Sequence, residues 1–190
     1  MRKLKLQVQM TVDGYIGGPN GEMDWLTFDW DDELKKYVAE ITAAVDCIVL
    51  GRKLAQGFIP HWRAVAANPD NPEFTDGLKF TNMPKVVFSR TLTKSEWPNT
   101  VLAVDDLASE IRQLKAQAGQ DIMAYGGACF VSSLIKLGLV DEYHLFINPA
   151  AIGKGLPIFS ESANSQELNL IRATTFSCGI AALHYTPKAH

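Results

Sequence analysis

From Leu4 to Val12 apolar and polar residues alternate. Leu4, Leu6, Val8, Met10 and Val12 share one face; Lys3, Lys5, Gln7, Gln9 and Thr11 share the other. A period of two is that of a β-strand, and its polar face either borders solvent or lines a polar site. Residues 13–21 then hold four glycines in nine positions and read as a loop. Leu34, Val38, Ile41 and Val45 recur at helical spacing behind Asp31 and Asp32, either of which suits an N-cap. Cys47–Leu50 is a short continuous apolar run, the mark of a strand buried on both faces. Four prolines between 60 and 84 predict mostly irregular chain there, with a short helix near Phe74–Phe80.

Further strands are expected at Lys85–Phe88, Val101–Val104, Ile122–Tyr125 and Glu142–Ile147. Between the last three lie two helical patterns. One carries Leu107, Ile111 and Leu114 and stops at Gly119; the other carries Phe130, Val131, Leu134 and Ile135 and stops at Gly138. Residues 168–177 and 180–185 read as a hairpin turning at Cys178-Gly179. Strand and helix alternate, then strands dominate. That order predicts an α/β domain with flanking helices, a mostly parallel central sheet and an antiparallel C-terminal hairpin. No linker, repeat or low-complexity tract divides residues 1–190, so one domain is expected.

Composition removes several classes of function. Of the 190 residues 47% are apolar, enough for a full core. Lys plus Arg number 18 against 21 Asp plus Glu, a net charge of −3, so no nucleic-acid binding through a strongly basic surface is expected. No run approaches the roughly 18 apolar residues of a membrane helix. The opening Met1–Gln7 lacks the continuous apolar stretch of a secretory signal. Cys47, Cys129 and Cys178 make neither a C-x-x-C pair nor a disulfide framework, and His61, His144, His184 and His190 are scattered. No metal site is expected, and a reducing, cytoplasmic compartment is the simplest reading.

Three strands end in small or basic pairs: Gly51-Arg52, Ser89-Arg90 and Gly126-Gly127. In a parallel sheet the carboxyl ends of the strands share one edge, and ligands bind there. Gly126-Gly127 precedes a helix, where glycine lets a phosphate reach the free N–H groups. Arg52 and Arg90 offer charge-assisted hydrogen bonds to a second phosphate. Together these describe a site for a phosphorylated dinucleotide, NADPH before NADH. Each signal also has a plain structural reading. A glycine pair makes a turn, an arginine after a strand is solvated, Gln9 belongs to an exposed strand face, and Ile16 packs under its loop. Trp25, Trp30 and Trp62 either stack on a flat heterocycle or fill the core. The loop after the first strand is not G-x-G-x-x-G, so a nicotinamide cofactor needs another arrangement than the ordinary dinucleotide fold.

The chain runs V-D-G-Y-I-G, then an apolar strand ending in G-R, then V-V-F-S-R, then Y-G-G before a helix. That order resembles the dihydrofolate-reductase fold. The later V-D-E-Y-H-L-F-I-N-P-A-A-I-G-K-G-L-P-I-F is similar to the C-terminal reductase domain of the bifunctional riboflavin-biosynthesis deaminase–reductase. The resemblance spans essentially the whole chain, and the zinc motif of the deaminase half is not found in it. It implies an NADPH-dependent reductase that passes hydride to a C=N or C=O carbon of a small heterocycle or sugar derivative, and a homodimer. Carried over position by position, Val8, Gln9, Ile16 and Gly17 border the nicotinamide and its ribose. Gly51, Arg52 and Lys53 hold the adenosine end, with Arg52 near the 2′-phosphate. Ser89 and Arg90 form a second adenosine-phosphate segment, and Gly126, Gly127, Ala128 and Cys129 the pyrophosphate turn. Folate reductases place a carboxylate at the start of the first helix; here the candidate is Asp32, which suits a cap equally. Lys154, between Gly153 and Gly155, is a candidate for a ribose phosphate. The alternative, from another class, is a protein of the same fold that binds a nucleotide or small ligand without turnover.

Overall fold

The alternating first segment becomes β1 (Leu4–Thr11), and it lies near the middle of the sheet. The computed structural model describes residues 1–27, 29–159 and 165–188. The elements that follow β1 are α1 (Asp32–Thr42), β2 (Val45–Gly51), α2 (Arg52–Ala66), α3 (Phe74–Asn82), β3 (Lys85–Phe88), β4 (Thr100–Leu102), α4 (Leu107–Ala116), β5 (Asp121–Tyr125), α5 (Ala128–Lys136), β6 (Glu142–Asn148), β7 (Leu168–Thr175) and β8 (Ala181–Pro187). The strands form one sheet in the order β4-β3-β2-β5-β1-β6-β8-β7. β1 through β6 are mutually parallel, and β8 runs antiparallel to both β6 and β7. This is the mixed α/β architecture with an antiparallel C-terminal edge that the pattern predicts. Among the described residues no helix is long and apolar enough to cross a membrane.

Leu4, Leu6, Val8 and Met10 enter a large apolar cluster with Ile111 and Leu114 of α4 and Val131, Leu134 and Ile135 of α5. The other sheet face carries two smaller clusters. One joins Ile48, Leu50 and Met123 to Ala55, Ile59 and Phe80 of α2 and α3. The second joins Phe146 and Ala182 to Leu34 and Tyr37 of α1. The polar residues of β1 lie on that second face. Gln7 and Thr11 are buried, because neighbours on both sides and helices above leave a central strand no solvent face.

Several local expectations change. Val12 lies beyond β1 and is exposed. Val45 opens β2 instead of closing the helical pattern of α1. β4 ends at Leu102, and Val104 is left in solvent. The largest correction is α2: Arg52 and Lys53, directly after β2, begin a 15-residue helix that contains Pro60 and runs to Ala66, where irregular chain was expected from residue 60. Pro60 and Gln56 are both exposed. The N–H that proline lacks would have bonded the Gln56 carbonyl one turn back, on the side of the helix that faces solvent. The burial of Ala55 and Ile59, with Leu54, Phe58 and Trp62 packed beside them, outweighs the lost bond.

Candidate functional site

β2 and β5 are neighbours in the sheet, and each runs straight into a helix. Gly51 is the N-cap of α2 and Gly127 the N-cap of α5. Neither helix has a side-chain cap or an acidic residue in its first turn. At α1 and α4 the chain does the opposite. Asp31 caps α1 and Asp106 caps α4, with acidic first turns behind them. The first N–H groups of a helix have no partner within it, and their dipoles favour an anion. At α2 and α5 no side-chain carboxylate competes for that place.

The two N-termini are packed on one another. A β-carbon on Gly51 would stand 2.9 Å from Cβ of Phe130 in α5. One on Gly127 would meet Cβ of Leu54 in α2 at 4.0 Å. Gly127 has a φ of 125°, a conformation that glycine alone adopts without strain. Beside it, a β-carbon on Gly126 would touch Val8 Cγ1 at 3.4 Å and Ile16 Cδ1 at 3.6 Å. The edge thus gathers Val8, Ile16, Gly51, Arg52, Gly126 and Gly127, with Ala128 as the first residue of α5 and Cys129 exposed after it.

The loop of residues 13–18 is stitched to residues 150–157. Ile16 N–H donates to Leu156 O at 3.0 Å, and Leu156 N–H to Gly17 O at 2.8 Å. The Asp13 carboxylate accepts from the N–H groups of Ile152 and Gly153 at 3.0 and 2.7 Å. The Thr11 hydroxyl first, helped by these amides, holds the Asp13 carboxyl below its ordinary range against the opposing effect of desolvation. The G-x-G-x-P stretch therefore positions the loop that carries Ile16 and Gly17.

The family model of the RibD C-terminal domain matches residues 2–182. The chain belongs to this family. YyaP of Bacillus subtilis (strain 168), an uncharacterised protein, is 34% identical over 186 residues, covering 97% of this chain and 94% of that one. The diaminohydroxyphosphoribosylaminopyrimidine deaminase/5-amino-6-(5-phosphoribosylamino)uracil reductase of Thermotoga maritima superposes with a TM-score of 0.71 at 19% identity. It covers 98% of this chain, which spans 57% of that protein. Dihydrofolate reductase from Enterococcus faecalis, solved with NADP(H), gives a TM-score of 0.64 at 14% identity over 98% of this chain and 97% of its own. Both likenesses show the fold.

In this RibD C-terminal domain the remaining predicted residues differ in how they are held. The Arg52 guanidinium meets Gln56 Oε1 at 3.4 Å and, among the described residues, no carboxylate. Arg90 is exposed and makes no hydrogen bond or ion pair among the described residues, and Lys53 is exposed. Ser89 Oγ is engaged in its own turn, accepting from the N–H groups of Thr91 and Leu92 at 3.1 and 2.9 Å. Gln9 is not an open strand residue: its Oε1 accepts from Nδ2 of the fully buried Asn148 at 2.8 Å. Asp32 sits in the first turn of α1 with its carboxylate fully exposed, 4.0 Å from the Lys35 ammonium. Trp62 packs against Phe80, ring centroids 4.5 Å apart and planes tilted by 36°, half-buried beside the core. Trp25 and Trp30 keep buried indole N–H groups without partners among the described residues, as does Asn148 Oδ1.

Two features of the site were not anticipated. The start of α2 was hidden by Pro60, although Leu54, Ala55, Phe58, Ile59 and Trp62 recur at helical spacing and signal it. The tie from Asp13 to residues 152–153 joins positions far apart in the chain and has no local signal.

Proposed function

We propose that the chain is an NADPH-dependent reductase of the pyrimidine-reductase kind, acting on a small heterocyclic or sugar-derived substrate. One observation carries the reading. Two adjacent helix N-termini, uncapped and free of acids, meet at Gly51 and Gly127 at the carboxyl edge of the sheet. A dinucleotide with several phosphates fits that pair of anion sites, and family membership supports the choice.

Bound NADPH would supply the hydride. In this reading the N–H groups of α5 receive the pyrophosphate, and Arg52 with the start of α2 receives the adenosine phosphate. Arg90 adds charge from the end of β3. Val8 and Ile16 form an apolar wall beside Gly126, which suits a flat nicotinamide ring and keeps water from it. Asp32 is the carboxylate offered for proton transfer, working through water because it is exposed.

Calorimetry with NADPH and NADH tests the cofactor. Arg52→Ala and Arg90→Ala are each expected to weaken NADPH by about 1.5–3 kcal/mol, the worth of a charge-assisted bond, and to narrow its advantage over NADH. Unchanged NADPH affinity in both variants rejects the assignment. Substrate-dependent NADPH oxidation, assayed with a ribosylaminopyrimidine and with dihydrofolate, separates a reductase from a protein that binds without turnover.

A further inference from the structure

The histidines that lie scattered in the sequence converge in the fold. β6 pairs with β8 in a register that sets His144 directly opposite His184. Their rings stack with centroids 4.3 Å apart and planes 20° from parallel. Glu142, two residues before His144, points its carboxylate to the same face. Its Oε2 lies 3.5 Å from His144 Nε2 and 3.6 Å from His184 Nε2. These are long for hydrogen bonds, and neither Nε2 has a partner among the described residues. His144 is 3% exposed, His184 19% and Glu142 11%. A buried, unpartnered imidazole is costly.

We propose that Glu142, His144 and His184 bind a divalent first-row transition ion, with zinc the best match to the donor set. Two ligand atoms each about 2.1 Å from a tetrahedral zinc stand about 3.4 Å apart. The spacings to Oε2 have that length. One carboxylate oxygen and two imidazoles suit zinc and its neighbours in the first row, while magnesium and calcium take oxygen ligands. The carboxylate is already divided for the task. Oε1 is held by the Lys3 ammonium at 2.7 Å, which leaves Oε2 to the histidines. Lys5 is paired with Asp121 at 2.9 Å, so the charges of Lys3, Lys5, Asp121 and Glu142 cancel before an ion arrives. Gln7, in register with His144, holds a further unpartnered acceptor on this face, and water completes the coordination. The cluster lies four residues back along β6 from Asn148 at the carboxyl edge, so it stands apart from the cofactor site. Its role is to tie β8 to β6.

Zinc titration of the tag-free full chain by calorimetry, with cobalt substitution followed in the visible spectrum, tests the site. One ion per chain is expected, with the cobalt bands of a four-coordinate centre. X-ray absorption of the zinc form is expected to give two imidazoles on the metal. His184→Ala and Glu142→Gln should each weaken binding by more than about 100-fold, beyond what outer-sphere partners carry. His61→Ala, exposed on α2, should leave it unchanged. The proposal is overturned if the wild-type chain takes up no stoichiometric ion, or if His184→Ala binds as well as wild type. Should the variants fail to fold, fewer than two imidazoles in the wild-type absorption spectrum overturns it.

Discussion

Asp31 and Asp32 are neighbours with different duties. The Asp31 carboxylate accepts from Leu34 N–H, Ser177 Oγ–H and Cys178 N–H, which together hold its carboxyl at about 2. It caps α1 and ties that helix to the β7–β8 turn, which leaves Asp32 with no capping work. Asp32→Asn is therefore expected to leave the melting temperature where it is and, with a turned-over substrate, to lower the rate about 100-fold. Unmoved turnover would assign the proton to solvent. Lys85 is the opposite case, a charge with a structural post. It is buried at the start of β3 and donates to the carbonyls of Met83 and Thr81 at 2.7 and 3.2 Å, closing the end of α3. Burial pushes its ammonium from an ordinary 10.5 down to about 8. Between those values the unfolded chain holds the proton and the folded chain has released it. This group therefore makes stability rise with pH from about 8 to 10.5; below 8 both states are protonated and it adds no slope. Urea midpoints measured across that window should rise less with pH in Lys85→Met than in wild type.

At the scale of elements, the glycine pair separates two effects that a single substitution would mix. Gly127 has positive φ, so Gly127→Val strains the backbone as well as crowding the start of α5. A loss of about 1–3 kcal/mol of stability is expected together with loss of NADPH binding. Gly126 has no such constraint, and its β-carbon would meet Val8 and Ile16 at ordinary contact distance. Gly126→Ala should therefore melt near wild type. The methyl fills the gap between Val8 and Ile16, so NADPH binding should weaken. Normal NADPH affinity in a folded Gly126→Ala would move the nicotinamide elsewhere. The element reading shows why parts of the site were legible. β1 and α5 carry clean periods of two and 3.6, β5 is a short continuous apolar run, and the glycine turn stands at the junction of β5 and α5. α2 was not read because Pro60 is a local breaker. It is tolerated only because the helix exposes that side and buries Ala55 and Ile59, a tertiary fact with no local sign.

Over the whole molecule, the parallel sheet and its antiparallel edge were legible because strand and helix periods alternate along the chain. The place of β1 was not. Alternation leaves the polar face either toward solvent or on a polar site; β5 and β6 pair with both edges and Gln7 and Thr11 are buried, and long-range pairing leaves no local trace. The same holds for the seam that joins the chain's first loop to residues 150–157. Gly155 lies at its tightest point, where a β-carbon would stand 2.3 Å from Gly17 O and 3.0 Å from Tyr15 Cγ. Its φ is not in the left-handed region, so the need for glycine there is one of space. Gly155→Ala must push the two loops apart and stretch the paired bonds between Leu156 and residues 16 and 17. The expected cost is about 1–3 kcal/mol, that of overpacking a filled contact, read from denaturant midpoints. Because Ile16 rides on that loop, NADPH affinity should fall with it. Gly57→Ala gives the contrast. Gly57 lies inside α2 with nothing within 4 Å of its β-carbon position, so the substitution should stabilise by about 0.5–1 kcal/mol and leave cofactor binding intact. If Gly155→Ala instead matches wild type in both stability and NADPH affinity, the two loops are not coupled, and Ile16 is positioned by its own turn alone.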